Sequence, residues 1–174
     1  MTKISFIAAA ALLAAGAAQA QSTSGVYVEG GYTFAKAKDT DLNVSAKPGI
    51  IRGIVGWDVH PNVAIEAMLA GGAGDDSSNG LTVKVQRSYG LFVKPKFAVT
   101  PEFEVFGRLG FADTKVKLSS SQGSISDSDN SFAWGLGASY SFNKQFYATA
   151  DYGSYYKKDG FKLTGFTLGA GYRF

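Results

Sequence analysis

Cysteine is absent from the 174 residues, histidine occurs once and proline four times. Without cysteine there is no disulfide framework, no thiol nucleophile, no Cys-ligated metal and no lipid-modified cysteine behind a leader. With His60 as the single imidazole, a transition-metal centre lacks its usual donors. Charge is sparse and nearly balanced, 17 Lys and Arg against 14 Asp and Glu. A net charge of +3 is too weak to imply nucleic-acid binding. Beyond residue 20, no apolar run approaches the ~20 residues that a membrane helix needs. A membrane span in this chain therefore has to be built from strands.

What is present begins with a leader. Met1–Ala20 has Lys3 near its start, an apolar run from Ile4 to Ala17, and the small-x-small pattern Ala18-Gln19-Ala20. This is the layout of a secretory signal peptide, with residues 21–174 expected to form one mature domain. That domain keeps 16 of the 17 basic residues and all 14 acids, a net charge of 16 − 14 = +2.

The mature part reads as eight segments of about ten residues with period-2 alternation. They are 25–35, 49–59, 63–72, 83–97, 102–112, 132–142, 146–156 and 164–174. In the sixth, Phe132, Trp134, Leu136, Ala138, Tyr140 and Phe142 oppose Ala133, Gly135, Gly137, Ser139 and Ser141. The connections alternate in length. Short ones occupy 60–62, 98–101 and 143–145, while longer polar ones occupy 36–48, 73–82, 113–131 and 157–163. Short turns at one end and long loops at the other are the habit of outer-membrane barrels, and an even strand number puts both termini in the periplasm. Ser119–Ser131, rich in Ser and Asp, is expected to be the most mobile loop.

Alternation also fits a soluble barrel with its apolar side inward. Three features decide against it. The polar face is mostly Gly, Ser, Thr and Ala, whereas a solvated face would be dense in Lys, Glu and Asp. Small residues suit the narrow, filled interior of eight strands. The apolar face concentrates aromatics near strand ends, where the two membrane interfaces lie. Finally, Phe166, Leu168, Ala170, Tyr172 and Phe174 continue one face to an aromatic last residue, the form of the signal read by outer-membrane assembly machinery. The fold expected is an all-β, eight-stranded, antiparallel up-and-down transmembrane β-barrel after a cleaved signal peptide.

The chain resembles the small outer-membrane β-barrel superfamily of Gram-negative bacteria, the OmpA-transmembrane-domain, OmpX/Ail and opacity-protein type labelled "porin family protein". The resemblance rests on Tyr89–Phe111 (YGLFVKPKFAVTPEFEVFGRLGF), Tyr147–Tyr152 (YATADY) and Gly169–Phe174 (GAGYRF). No periplasmic domain of the OmpA type follows, so anchoring to peptidoglycan is not implied.

Eight charges fall on the inward parity: Glu29, Arg52, Glu66, Lys94, Glu104, Arg108, Asp151 and Arg173. Buried charge is tolerated only when paired, so four acids and four bases predict a salt-bridge network that fills the lumen. The rival is a narrow porin-type pathway for ions or small solutes. Enzyme chemistry has little support. His60 lies in a short turn, far from any serine on the outer rim, and the carboxylates have basic partners. Asp75, Asp76, Asp127 and Asp129 are read as solvated loop acids rather than a cation site. Lys36, Lys38, Lys47, Arg87, Lys157, Lys158 and Lys162 lie in or beside the long loops and are candidate contacts for lipopolysaccharide phosphates. No cofactor is expected. The expected partners are outer-membrane lipid, lipopolysaccharide and, during biogenesis, the assembly machinery. A closed barrel has no free edge, so a monomer is the default. The function expected is non-catalytic: envelope integrity and surface interactions through the external loops.

Overall fold

The computed structural model describes residues 25–39, 44–46, 48–73, 76–78, 81–120, 123–158 and 161–174. The expected leader Met1–Ala20 lies outside them. Ten strands follow in chain order: β1 (Val26–Asp39), β2 (Val44–Ala46), β3 (Gly49–His60), β4 (Val63–Gly72), β5 (Asp76–Ser78), β6 (Leu81–Ala98), β7 (Phe103–Ser120), β8 (Gly123–Ser141), β9 (Phe146–Lys158) and β10 (Phe161–Arg173). β2 and β5 are three-residue extensions at the long-hairpin end, pairing with β1 and β6. The other eight form the wall in the order β1-β3-β4-β6-β7-β8-β9-β10, each antiparallel to its neighbour. β10 returns to β1 from Tyr27–Arg173 to Asp39–Phe161, which closes the barrel. Closure satisfies the backbone along both flanks, a requirement in hydrocarbon, where an unpaired N–H or C=O costs several kcal/mol.

The alternation inferred from the residues matches the burial of side chains. β3 and β4 alternate strictly between buried and exposed along most of their length. The exposed set is apolar: Leu91, Leu136 and Phe142 are 65–68% exposed, and Phe34, Ile51, Phe97 and Phe111 are close behind. In water, such a belt would far exceed the few hundred Å² that soluble proteins leave bare. Facing lipid, each of these side chains gains roughly 1.5–3 kcal/mol. Aromatic rings pack edge-to-face at both ends of the belt, Tyr140–Phe142 and Phe146–Tyr172 at one and Tyr32–Phe34 and Phe111–Phe132 at the other.

The short turns between β3 and β4, β6 and β7, and β8 and β9 all lie at the end that carries Val26 and Arg173. In the turn after β8, Asn143 Oδ1 accepts from the backbone N–H groups of Gln145 and Phe146, at 2.8 and 2.7 Å. The other end departs from expectation. Within the stretch 113–131, the described residues 113–120 and 123–131 are strand, not loop. β7 runs to Ser120, β8 starts at Gly123, and their ladder continues to the pair Ser120–Gly123. Ser119–Ser131, expected to be mobile, is almost entirely paired strand. Its Ser and Asp residues favour turns locally, but the described residues pair in register with the facing strand of the hairpin, and the ladder overrides composition. For the same reason 36–39 and 81–82 belong to strands, not connections.

Candidate functional site

Six of the eight inward charges meet near the middle of the lumen, each on a different strand: Glu29 (β1), Arg52 (β3), Glu66 (β4), Lys94 (β6), Arg108 (β7) and Asp151 (β9). All six are at least 96% buried. Two arginines and two acids close a ring across the barrel. Arg52 Nη2 donates to Glu29 Oε1 at 3.0 Å, and its Nη1 and Nη2 donate to Asp151 at 2.9 and 2.6 Å. Arg108 faces them, with Nη2 2.9 Å from Glu29 Oε2 and Nη1 3.0 Å from Asp151 Oδ2. Arg108 Nε also donates to Glu66 Oε2 at 2.6 Å. Glu66 further accepts from the Tyr27 hydroxyl at 2.6 Å and lies 3.4 Å from Lys94 Nζ. The Lys94 ammonium also sits over the rings of Phe106 and Tyr27, at 4.3 and 5.0 Å from their centroids.

The other two strands supply room. Gly135 and Gly137 on β8, and Gly169 and Gly171 on β10, take inward positions. A Cβ at Gly171 would overlap the Tyr147 ring, and one at Gly137 would press on Asp151 and Phe106. Three anions against three cations leave the cluster neutral, the condition under which buried ions are retained.

Above the cluster, toward the long hairpins, Thr33–Thr167 and Ser88–Thr114 form hydroxyl pairs at 2.8 Å. Between them lies a cavity of about 20 Å³ lined by these residues' neighbours Arg52, Met68 and Tyr155, room for about one water. Toward the short-turn end, Glu104 and Arg173 stay outside the ring. Glu104 lies 3.8 Å from Lys96 Nζ and accepts from Ser139 Oγ at 3.5 Å. Arg173 donates to Ser141 Oγ at 2.9 Å and stacks over Tyr147, 4.5 Å from its centroid. The pair Lys96–Asp58, at 2.8 Å, was not among the inward ions inferred from the sequence. Parity was the available signal, since Lys96 is two residues beyond Lys94 and Asp58 already lay on the polar side of its strand.

The candidate external cations fall into three groups. Lys36, Lys38 and Lys162 are exposed, on strands rather than in loops, with Lys38 directly opposite Lys162 across β1 and β10. Arg87, also exposed, holds its guanidinium 5.7 Å from the Tyr89 ring centre. Lys157 and Lys158 end β9. Lys47 lies outside the described residues. Of the loop acids, Asp76 begins β5 and Asp127 and Asp129 belong to β8, while Asp75 lies outside the described residues.

The outer membrane protein beta-barrel domain family matches residues 5–174. The attachment invasion locus protein of Yersinia enterocolitica is 38% identical over 86 residues, 49% of this chain and 48% of that protein. The match thus spans about half the length of that curated relative. Among solved structures, the Ail protein of Yersinia pestis superposes with a TM-score of 0.68 at 25% identity, over 87% of this chain and 99% of Ail. Neisserial surface protein A superposes equally well, with a TM-score of 0.68 at 15% identity, over 87% of this chain and 98% of that one.

Proposed function

We propose, from the premise that this chain belongs to the outer membrane protein β-barrel domain family, that it is a non-catalytic barrel acting through its external face. The bacterial outer membrane is its location. Its role would be to strengthen the envelope and to make surface contacts with anionic glycans and lipids. The observation that carries this reading is the closed lumen. Six charged side chains from six strands neutralise one another there, and the cavity above them, about 20 Å³, has room for no more than about one water. Passage of an ion would require breaking pairs whose separation leaves lone buried charges, at several kcal/mol each. The channel alternative is therefore disfavoured.

The external end supports surface contact. From Phe111 to Ser120, β7 continues past the aromatic belt, paired with β8. Nine steps of strand make a ribbon about 30 Å long. On the other side of β9 from that ribbon, the closing seam between β1 and β10 presents Lys36, Lys38 and Lys162 outward, above Phe34 and Phe166. Like charges placed opposite one another destabilise a sheet unless an anion bridges them. Ail of Yersinia pestis has been solved with the heparin analogue sucrose octasulfate. For this chain, the corresponding proposal is that these lysines pair with lipopolysaccharide phosphates or sulfated glycans.

The remaining assignments belong to the same reading. Residues 1–20 are a signal peptide, 21–174 the barrel domain, both termini and the short turns periplasmic, and the protein a monomer. Phe166, Leu168, Ala170, Tyr172 and Phe174 serve the assembly machinery. Planar-bilayer recording of the refolded barrel tests the central point. Silence is expected, and steady ohmic steps would overturn the closed-lumen reading.

A further inference from the structure

Among the described residues, the lipid-facing wall carries a broad, open cleft of about 660 Å³ over β6, β7 and β8. Its origin is local. Val93 pairs with Leu109 and Lys96 with Phe106, but Lys94 and Pro95 between them have no register partner on β7. The Lys96 N–H points the other way, to the Asn62 carbonyl at 2.9 Å. The nitrogen of Pro95 therefore faces β7 and has no hydrogen to donate. Opposite it is Gly107, which has no side chain. Two adjacent outward positions thus carry a short ring and nothing, while Phe97, Leu109, Trp134 and Leu136 stand around them.

We propose that this cleft is a seat for one acyl chain of a phospholipid, held more tightly than the lipid that surrounds the barrel. The walls decide the chemistry. No outward side chain lining the cleft is polar, and the Lys96 ammonium turns inward to Asp58. Only hydrocarbon gains from filling such a recess, because an unfilled void forfeits the dispersion contacts of its lining. The cleft is continuous with the lipid-facing belt, so the chain enters without crossing a polar barrier. Phe97 leads to the turn between β6 and β7, so the chain comes from the leaflet on the short-turn side. Calling that leaflet periplasmic rests on the orientation proposed above; the seat itself does not.

The two tryptophans make the test direct. Trp134 lines the cleft, while Trp57 is exposed to lipid on β3, on the far side of the wall. Trp57→Phe and Trp134→Phe each leave one reporter. Each protein is refolded into vesicles containing increasing fractions of phosphatidylethanolamine with brominated acyl chains, and fluorescence quenching is followed. The seat predicts half-quenching of Trp134 at a brominated fraction about threefold lower than for Trp57. Gly107→Leu should abolish that excess. A Cβ there would lie 3.5 Å from Pro95 Cγ and 3.8 Å from Leu136 Cδ2, ordinary contacts, so the backbone accepts a side chain that projects into the cleft. Superimposable curves for the two tryptophans would overturn the proposal, and this comparison stands even if Gly107→Leu fails to fold. An excess that survives Gly107→Leu would overturn it as well. Shielding of Trp134 that vanishes on diluting protein into lipid would mean that a second copy occupies the cleft. Relief of quenching by unlabelled lipopolysaccharide but not by unlabelled phospholipid would assign the seat to the opposite leaflet and refute the stated source. None of these outcomes depends on whether the lumen conducts.

Discussion

Replacing Arg108 with methionine keeps much of the side-chain length and removes the cation that touches all three central acids. Arg108 donates to Glu66 at 2.6 Å, to Glu29 at 2.9 Å and to Asp151 at 3.0 Å. Breaking a buried ion pair by removing one partner costs about 3–5 kcal/mol. Here each orphaned acid keeps another partner. Glu29 retains Arg52 at 3.0 Å, Asp151 retains Arg52 at 2.6 Å, and Glu66 retains the Tyr27 hydroxyl at 2.6 Å and Lys94 at 3.4 Å. The loss should therefore fall at the lower end, about 3 kcal/mol. The remaining defect is one unbalanced negative charge, three acids against Arg52 and Lys94. Adding Glu66→Gln restores the balance, so the double variant should recover at least half of the loss. Urea unfolding in lipid vesicles, followed by tryptophan fluorescence, gives the four corners of the cycle. The reasoning fails if Arg108→Met unfolds within about 0.5 kcal/mol of the parent, the range of an ordinary surface change. It fails equally if the two losses simply add, because independent sites add and members of one network do not.

Gly56→Ala should destabilise by about 1–3 kcal/mol through overpacking, since a Cβ at Gly56 would overlap the Tyr27 ring and push its hydroxyl off Glu66. A lowered temperature for the heat-induced shift in gel mobility would register this. Deleting Phe174 removes one backbone bond to Val26, at 3.0 Å, and one edge-to-face contact with Tyr172. Surface yield in cells should therefore fall much more than the urea midpoint of refolded protein, and an unchanged yield would count against the assembly role. Lys36→Gln, Lys38→Gln and Lys162→Gln together should lower the salt needed to elute the detergent-solubilised barrel from a sulfated-glycan column, while leaving the barrel at least as stable, because the opposed Lys38–Lys162 pair is gone. Elution at the parent's salt concentration would sink the proposed contact.

The sequence by itself determined which side of each strand faces lipid. Period-2 alternation is a property of the chain alone, and a slip by one residue would turn every ion outward. The sparse charge on the inner face, the aromatic strand ends and the alternation of turn lengths were likewise legible, and together they specified eight strands. Hairpin length was not. The polar stretch 113–131 resembles a loop in composition, yet its ladder runs to Ser120–Gly123, because pairing across a hairpin satisfies backbone groups whatever the side chains are. Parity could list inward ions, but it could not say which of them meet. The height of a side chain in the lumen depends on strand tilt and stagger, and these place Arg52 and Arg108 between Glu29 and Asp151 while leaving Glu104 and Arg173 nearer the short turns. The recess at Pro95 likewise needed the fold. A proline and a glycine twelve positions apart in the chain become neighbours only when β6 and β7 are laid side by side.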